Sequence, residues 1–155
     1  DRALAAADIA TPNRFELERL TGQSCDTLDR AKAAVAHLAG GMRAGGPRCV
    51  LLTSLRTDET PADALDMLVG EAGEFHLLRS PLLPVDLNGA GDALAAMFLF
   101  HRARTGSAAA ALSAAGSAIH GVLRRTAEAG SRELLTVAAQ EEFVRPGLLL
   151  EAVPV

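Results

Sequence analysis

Asn88-Gly89-Ala90-Gly91-Asp92 stands directly before an unbroken apolar run from Ala93 to Phe100. Two glycines one residue apart permit a tight turn that exposes its backbone N–H groups. The apolar run predicts a buried helix that begins near Ala90 or Gly91. Because a helix N-terminus carries unpaired N–H donors and a partial positive charge, the turn is a candidate anion-binding site.

Asp92 falls in the first turn of that helix, beside the candidate anion site. A carboxylate there would repel a bound phosphate unless it had another task, and taking a proton from an attacking hydroxyl is such a task. The pattern therefore favours phosphoryl transfer, with the turn holding negative charge and Asp92 activating the acceptor. A simpler interpretation is a tight turn followed by an acid that stabilises the helix dipole. The motif is neither GxGxxG nor a Walker loop, and the rest of the chain has to decide.

Composition narrows the class of protein. With 155 residues, 49% hydrophobic and 22% charged, the chain has the size and composition of one soluble globular domain. A net charge of −4 and the absence of Trp and Tyr argue against a nucleic-acid partner. No apolar run is long enough for a membrane span, so no membrane partner is expected. Cys25 and Cys49 lack metal-ligand spacing and fit a reducing compartment, which predicts a cytoplasmic protein.

The first third of the chain predicts two strands with two helices between them. In order, they are a short strand over 8–11 closed by Pro12, a helix capped by Asn13 and ending at Gly22, a helix from Asp26 or Thr27 to Gly40-Gly41, and a strand over 49–55. The continuous apolar character of the last strand is typical of a buried parallel strand.

Two pairs of polar residues in this region have alternative interpretations. Asn13 and Glu16 share one face at the positive end of a helix, where they could serve a phosphate or metal site or simply form a capping box. Thr53 and Ser54 end a predicted strand, and ligands of open α/β sheets collect at such carboxyl ends. A plain strand exit into a loop explains the second pair about as well.

The later part of the chain predicts a hairpin and three helices. In order, they are strands over 65–69 and 75–78 around a turn at 70–73, an extended loop over 79–84, the helix after Gly89 ending at Gly106, a helix from Ser107 to about Ala127, and a last helix over 134–144. Arg79 in the loop could reach a phosphate, although an isolated loop arginine is more often only solvated. The four histidines are scattered, so a tight transition-metal site is not expected.

Several short motifs, taken in order, resemble one family. They are Thr11-Pro12-Asn13-x-x-Glu16, the strand end Thr53-Ser54, Asn88-Gly89-Ala90-Gly91-Asp92, and the C-terminal Gly130-Ser131-Arg132-Glu133-Leu134 with Val137-Ala138-Ala139-Gln140. Together they resemble the ribokinase-like kinases, and within these the pyridoxal kinase group. Related hydroxymethylpyrimidine kinases tend to carry Gly-Thr-Gly-Cys at the turn, where this chain has Gly-Ala-Gly-Asp.

The resemblance implies a fold and an activity. The fold is a ribokinase-like three-layer α/β/α sandwich with a mostly parallel sheet. The activity is ATP-dependent phosphorylation of the 5′-hydroxymethyl group of pyridoxal, pyridoxine or pyridoxamine in vitamin B6 salvage. ATP and Mg²⁺ are the implied cofactors, with a monovalent cation as a further candidate. The partners are ATP and a B6 vitamer, and the full-length family implies a homodimer.

The resemblance also assigns roles to residues of this chain. By it, Asp92 matches the catalytic base in contact with the substrate, and Gly89, Ala90 and Gly91 match the anion hole. Asn13 and Glu16 match the pair that organises Mg²⁺ through water. The implied ATP-site lining consists of Thr11, Asn13, Glu16, Thr53, Ser54, Arg79, Ser80, Pro81, Leu82 and Asn88.

The resemblance covers only the C-terminal half of the family's length. Residues 1–155 are therefore expected to form a single, N-terminally truncated ribokinase-like domain with uncovered apolar surface and an exposed sheet edge. We expect the isolated chain to bind ATP poorly and to turn over little. The alternatives are a truncated, non-catalytic binding module and a related hydroxymethylpyrimidine or sugar kinase.

Overall fold

The computed structural model describes residues 2–85 and 87–155 of the chain. Two compact units make up the chain: Asp1–Arg79 with Val153–Val155, and Ser80–Ala152. The helices and strands are β1 (Ile9–Ala10), α1 (Arg14–Thr21), α2 (Leu28–Gly40), β2 (Cys49–Leu55), β3 (Ala64–Glu71), β4 (Glu74–Pro81), α3 (Ala90–Thr105), α4 (Ala108–Glu128) and β5 (Val153–Pro154), with short 3₁₀ turns at Leu4–Ala6 and Gln140–Phe143.

The five strands form one sheet in the order β1-β2-β3-β4-β5. β1 runs parallel to β2, with Ile9 opposite Cys49, whereas β2 runs antiparallel to β3 and β4 antiparallel to β5. The expectation of a mostly parallel sheet is therefore wrong, and the sheet is mixed. The physical reason is connection length: a parallel pair needs a crossover of a dozen or more residues, and neither residues 56–63 nor the turn at residues 72–73 supply one.

The core of the first unit lies where α1 and α2 meet the sheet. The side chains that share this core are Leu17 of α1, Ala31, Ala34, Val35 and Leu38 of α2, Val50, Leu52 and Leu55 of β2, and Leu68 of β3. Met42, just past the end of α2, joins the same core. Thr27 caps α2 by accepting a hydrogen bond from the Arg30 N–H, as the sequence predicts.

The hairpin of β3 and β4 is confirmed, but its strands are longer than predicted. β3 continues through Gly70 and Glu71, so the turn shortens to Ala72 and Gly73, both in the left-handed region with φ of 53° and 85°. β4 continues to Pro81, so Arg79, Ser80 and Pro81 belong to a strand and the prediction of a loop there is wrong. β4 also pairs with β5, which lies more than 70 residues later in the chain, so local sequence does not reveal this strand partner.

In the second unit, α3 and α4 begin and end where the sequence predicts. Gly106 closes α3 with φ of 68°, and the Ser107 hydroxyl caps α4 by accepting from the Ala110 N–H. The prediction that α3 is buried along its length is wrong, because Leu99 and Phe100 are 56% and 51% exposed. An apolar run over several turns presents hydrophobic groups on every side of a helix, whereas only Leu94 and Phe98 of α3 are buried here.

The predicted last helix over 134–144 is also wrong. The segment forms turns and the short 3₁₀ element at Gln140–Phe143. A helix of that length is marginal in water unless packing stabilises it, and Thr136 and Val137 add β-branched side chains near its start. Instead, the Thr126 hydroxyl of α4 accepts a hydrogen bond from the Leu135 N–H, which fixes the chain in an irregular path.

Glu142 anchors this irregular segment to α4. Its side chain is 4% exposed and accepts hydrogen bonds from Arg124 at 3.1 Å, Arg125 at 3.2 Å and the Gly147 N–H at 2.7 Å. A Cβ atom at Gly121 would overlap the Glu142 carboxyl group, so a glycine in the middle of α4 makes room for the acid. The buried carboxylate is thus paired with two arginine side chains and one backbone N–H group.

Replacing Glu142 with Gln is expected to lower the free energy of unfolding by about 3 kcal/mol, because both arginines lose their buried counter-ion and an amide cannot accept all three bonds. Urea denaturation followed by circular dichroism measures this loss. Glu128→Gln is the matched control, since Glu128 also pairs with Arg124, at 2.7 Å, but is largely exposed. That control should change stability by less than about 1 kcal/mol. Equal losses in the two variants would contradict the anchor role.

The contacts of Glu142 also make the stability of the fold depend on pH. The hydrogen bond from the Gly147 N–H, and then the Arg125 and Arg124 charges, hold the pKa of Glu142 below its ordinary value of 4.5. A carboxyl group with a lowered folded-state pKa stabilises the fold above its unfolded pKa and loses that contribution as pH falls through the folded value. Wild-type stability should therefore fall faster than that of Glu142→Gln as pH drops below about 4.5.

No helix in the described ranges is both long enough and apolar enough to cross a bilayer.

Candidate functional site

Thr11, Asn13 and Thr53 come together at the carboxyl ends of β1 and β2. Beyond the parallel pairing of these strands, the Thr53 N–H donates to the Pro12 carbonyl oxygen at 2.9 Å, and Asn13 and Thr53 form an isolated parallel bridge. Because adjacent parallel strands end at the same sheet edge, two separate sequence motifs become one site. Thr53 is buried and Ser54 is exposed.

Asn13 and Glu16 form the capping box that the simpler interpretation predicts. The Asn13 side chain accepts from the Glu16 N–H at 2.9 Å, and Oε2 of Glu16 accepts from the Asn13 N–H at 2.9 Å. The box fixes both side chains at the N-terminus of α1, next to Thr53. A carboxylate has about four lone-pair positions, so the single bond to Asn13 leaves Glu16 able to accept more.

Ser54 adopts a strained backbone at this edge. Its φ is 53°, in the left-handed region that non-glycine residues seldom occupy. The pairing of β2 with β3 shifts here, so that Thr53 and Ser54 together lie opposite Met67 in a β-bulge. Strained residues of this kind concentrate at functional sites, where the conformation itself is needed.

Ser54→Gly is expected to raise the free energy of unfolding by about 1 kcal/mol, because glycine adopts positive φ without a Cβ penalty. Thermal denaturation measures this gain. Ala72→Gly is a matched control, since Ala72 has the same φ of 53° in the β3–β4 turn. If Ser54 serves a ligand, only Ser54→Gly should also weaken nucleotide binding. Equal binding by the two variants would leave Ser54 with a purely conformational role.

Arg79 makes an ion pair with Asp66 rather than extending from a loop. Its Nε and Nη2 atoms each donate to the Asp66 carboxylate at 2.8 Å, and Asp66 is 1% exposed. Bonding to Asp66 raises the Arg79 pKa above its usual value. The Thr60 hydroxyl also donates to Asp66, at 2.7 Å.

Asp66 and Thr60 are polar residues that the sequence interpretation missed. The signal for the ion pair was present, because Asp66 and Arg79 lie at equal distances from the turn at Ala72-Gly73. An acid and a base at such positions face each other across a hairpin. Misplacing the turn and the end of β4 hid this pairing.

In the second unit, the N-terminus of α3 is an uncapped helix end. The N-cap residue is Gly89, with φ of 86°, which has no side chain to cap the helix. The Ala93 N–H donates to the Gly89 carbonyl oxygen at 3.0 Å, so the N–H groups of Ala90, Gly91 and Asp92 precede the first intrahelical bond. These amides and the helix dipole favour a bound anion. Asp92 is exposed in the same first turn, as predicted.

The remaining predicted lining residues are close in sequence to this turn. Ser80 is buried, whereas Pro81, Leu82 and Asn88 are exposed. Within residues 2–85 and 87–155, no three His, Cys, Asp or Glu side chains group closely enough to hold a metal ion.

Comparison with known proteins gives consistent matches. The phosphomethylpyrimidine kinase family model matches residues 1–136. The chain is 61% identical over 146 residues to a pyridoxal kinase of Granulibacter bethesdensis, covering 94% of this chain and 51% of that protein. It is 48% identical over 153 residues to a pyridoxal kinase of Deinococcus radiodurans, covering 97% and 51%. The chain thus spans about half the length of the curated relatives it matches.

A solved structure gives the same picture for the fold. The structure of a pyridoxal kinase from Leishmania donovani in complex with ADP and ginkgotoxin superposes with a TM-score of 0.85 at 24% identity, over 98% of this chain and 52% of that one. This likeness confirms the predicted α/β fold of the ribokinase-like type.

Proposed function

Because the chain belongs to the phosphomethylpyrimidine kinase family, we propose that it forms the catalytic-base and nucleotide-handling half of a pyridoxal kinase. The reaction transfers the γ-phosphoryl group of ATP to the 5′-hydroxyl of pyridoxal, pyridoxine or pyridoxamine. The single observation that carries this proposal is the uncapped N-terminus of α3, where three N–H groups adjoin the exposed carboxylate of Asp92. The relatives that match this chain over half their length are named for this activity.

Asp92 acts as the general base in this proposal. Its carboxylate accepts the proton of the acceptor hydroxyl while that oxygen forms its bond to the γ-phosphorus. The bond from that phosphorus to the bridging oxygen breaks, and ADP leaves. Charge that develops on the transferred group is stabilised by the N–H groups at Gly89, Ala90 and Gly91 and by the positive end of the α3 dipole. Such positioning and charge stabilisation account for most of phosphoryl-transfer catalysis.

The residues at the end of β2 handle the nucleotide in this proposal. Thr11, Thr53 and Ser54 offer hydroxyl groups on loops and strand ends. Arg79 is engaged by Asp66, so only the part of its guanidinium that stays exposed would meet a phosphate. In the second unit, the family resemblance gives a nucleotide-contacting role to Ser80, Pro81, Leu82 and Asn88. Replacing each of these residues with alanine in the full-length kinase and measuring the KM for ATP tests the assignments.

Mg²⁺ fits the donor set near Asn13 and Glu16 only through water. Mg²⁺ usually keeps several waters and binds one or two carboxylates together with substrate phosphates. One carboxylate with lone pairs to spare, beside an amide oxygen, matches an outer-sphere arrangement better than a protein cage. When bound, the ion would neutralise phosphate charge, and Glu16 and Asn13 would orient its water ligands.

The decisive experiment replaces the matching 146-residue segment of the Granulibacter bethesdensis relative with this chain. The chimera is expected to phosphorylate pyridoxal with ATP and Mg²⁺. Hydroxymethylpyrimidine is assayed in parallel, because the family model is named for phosphomethylpyrimidine, the phosphate ester of that alcohol. Preference for the pyrimidine would move the assignment to that acceptor. A folded chimera without kinase activity, beside an active parent, would favour a non-catalytic module.

We propose a cytoplasmic location and a homodimeric full-length kinase, with a monovalent cation as a further activator. Fractionation, sedimentation and activity titrated with K⁺ test these points separately.

A further inference from the structure

The segment between β2 and β3, residues 56–63, is held at four points despite being largely exposed. Arg79 of β4 donates to the Glu59 carbonyl oxygen at 3.5 Å. Arg14 of α1 donates a hydrogen bond to the Arg56 carbonyl oxygen. The Asp58 N–H donates to the Asp26 carbonyl oxygen at 2.8 Å. The Thr60 hydroxyl donates to Asp66 at 2.7 Å. We call residues 56–63 the β2–β3 connection.

The attachment through Thr60 ends at Asp66, a buried residue of β3. Both of its oxygens accept from Arg79, and Oδ2 also accepts from Thr60. The Thr60 hydroxyl oxygen in turn accepts from the Thr57 N–H at 2.9 Å. The buried carboxylate of Asp66 therefore fixes Thr60 directly, and it fixes Thr57 through the Thr60 hydroxyl. These two residues lie in the middle of the connection.

Such an arrangement is costly if its only task is stability. Burying a carboxylate carries a large desolvation penalty, and well-packed apolar residues often stabilise a hairpin equally well. The connection begins after Leu55, the last residue of β2, which follows strained Ser54. Thr53, one residue before Ser54, bridges Asn13. Loops held rigidly next to a site lower the entropic cost of binding.

We propose that Asp66 and Thr60 are positioning residues for the nucleotide site. They hold the β2–β3 connection in place beside Thr53 and Ser54, so that its backbone at Thr57–Thr60 forms one wall for a nucleoside di- or triphosphate. This inference rests on the proposed function, because it takes the end of β2 as the nucleotide site.

The test compares Thr60→Val with Thr60→Ser in the whole chain. Valine keeps the shape of threonine but removes the hydroxyl, whereas serine keeps the hydroxyl that joins Asp66 to Thr57. Titration with a fluorescent ADP analogue, extended to millimolar concentration, gives the dissociation constant of each variant. We expect about tenfold weaker binding for Thr60→Val, equivalent to one lost positioning interaction. Thr60→Ser should stay within about twofold of wild type.

Hydrogen exchange provides a readout that does not depend on the ligand. Thr60→Val, and Asp66→Asn if it folds, should speed exchange at Thr57 and Thr60 while the β2 amides stay protected. Glu142→Gln serves as the control, since it also removes a buried, arginine-paired acid but is not assigned to the nucleotide site. It should lower stability and leave the dissociation constant unchanged.

The outcomes separate this inference from the function on which it rests. Nucleotide binding by wild type that Thr60→Val leaves unchanged would overturn the positioning role and leave the proposed function standing. Equal weakening by Glu142→Gln would reduce the effect to general stability and also overturn it. Failure of both the chain and its chimera with the Granulibacter bethesdensis relative to bind the ADP analogue would overturn the nucleotide site and the inference together.

Discussion

Asp92→Asn is expected to lower kcat of the chimeric kinase by about a thousandfold, the range in which positioned general bases contribute. Asparagine keeps the size of the side chain and removes its capacity to accept a proton. The KM for ATP should change little, because the proposed role of Asp92 concerns the acceptor hydroxyl. Steady-state kinetics with pyridoxal as the varied substrate measures the effect.

Asp29→Asn is the matched control for this variant. Asp29 lies in the first turn of α2, as Asp92 does in α3, so both acids interact favourably with a helix dipole. Removing either charge should cost a similar, small amount of stability. If Asp92→Asn behaved like Asp29→Asn and retained activity, the simpler interpretation of Asp92 as a helix-stabilising acid would be the correct one.

Gly89→Ala is expected to lower kcat by about a hundredfold, comparable to the loss of one anion-stabilising donor. Among the described residues beyond its two chain neighbours, no heavy atom lies within 4 Å of a Cβ placed there, so crowding is not the expected cause. The cause is backbone geometry: φ of 86° is unfavourable for alanine, and relaxing it would turn the first N–H groups of α3 away from a bound phosphoryl group.

Gly106→Ala provides the comparison at the other end of the same helix. Gly106 has φ of 68°, and a Cβ there also meets open space. This variant should lose a similar amount of stability, about 1 kcal/mol, with kcat unchanged. A parallel loss of kcat in the two variants would indicate that α3 as a whole, rather than its N-terminal amides, limits catalysis.

Local signals in the sequence predicted most of the secondary structure. Caps such as Asn13, Thr27 and Ser107 and the terminating Gly106 act within one turn of chain, so their residue types suffice to locate helix ends. Sheet direction and the end of β4 depend on partners distant in sequence, and these were predicted wrongly. The last predicted helix failed for the same reason, since the Glu142 carboxylate and the Leu135 N–H both bond to side chains of α4.

The candidate site shows the same contrast between residues that local sequence defines and residues that depend on distant strand partners. Asn88–Asp92 form the predicted turn and helix start because glycine spacing and an apolar run determine them locally. The contact between Asn13 and Thr53 required strand pairing, and only the general rule about carboxyl ends anticipated it. Asp66 was missed, because a lone acid within an apolar strand gains meaning only from the arginine across the hairpin. The catalytic and cofactor roles of all these residues stay predictions.

The glycine at position 121 has an evolutionary consequence. Since a Cβ there would occupy the place of the Glu142 carboxyl group, neither position can change freely without the other. A lineage that gains alanine at 121, which favours the helix by about 1 kcal/mol, must first shorten or lose the acid at 142. We expect these two positions to co-vary among homologous sequences, with a small residue at one accompanying a long acid at the other.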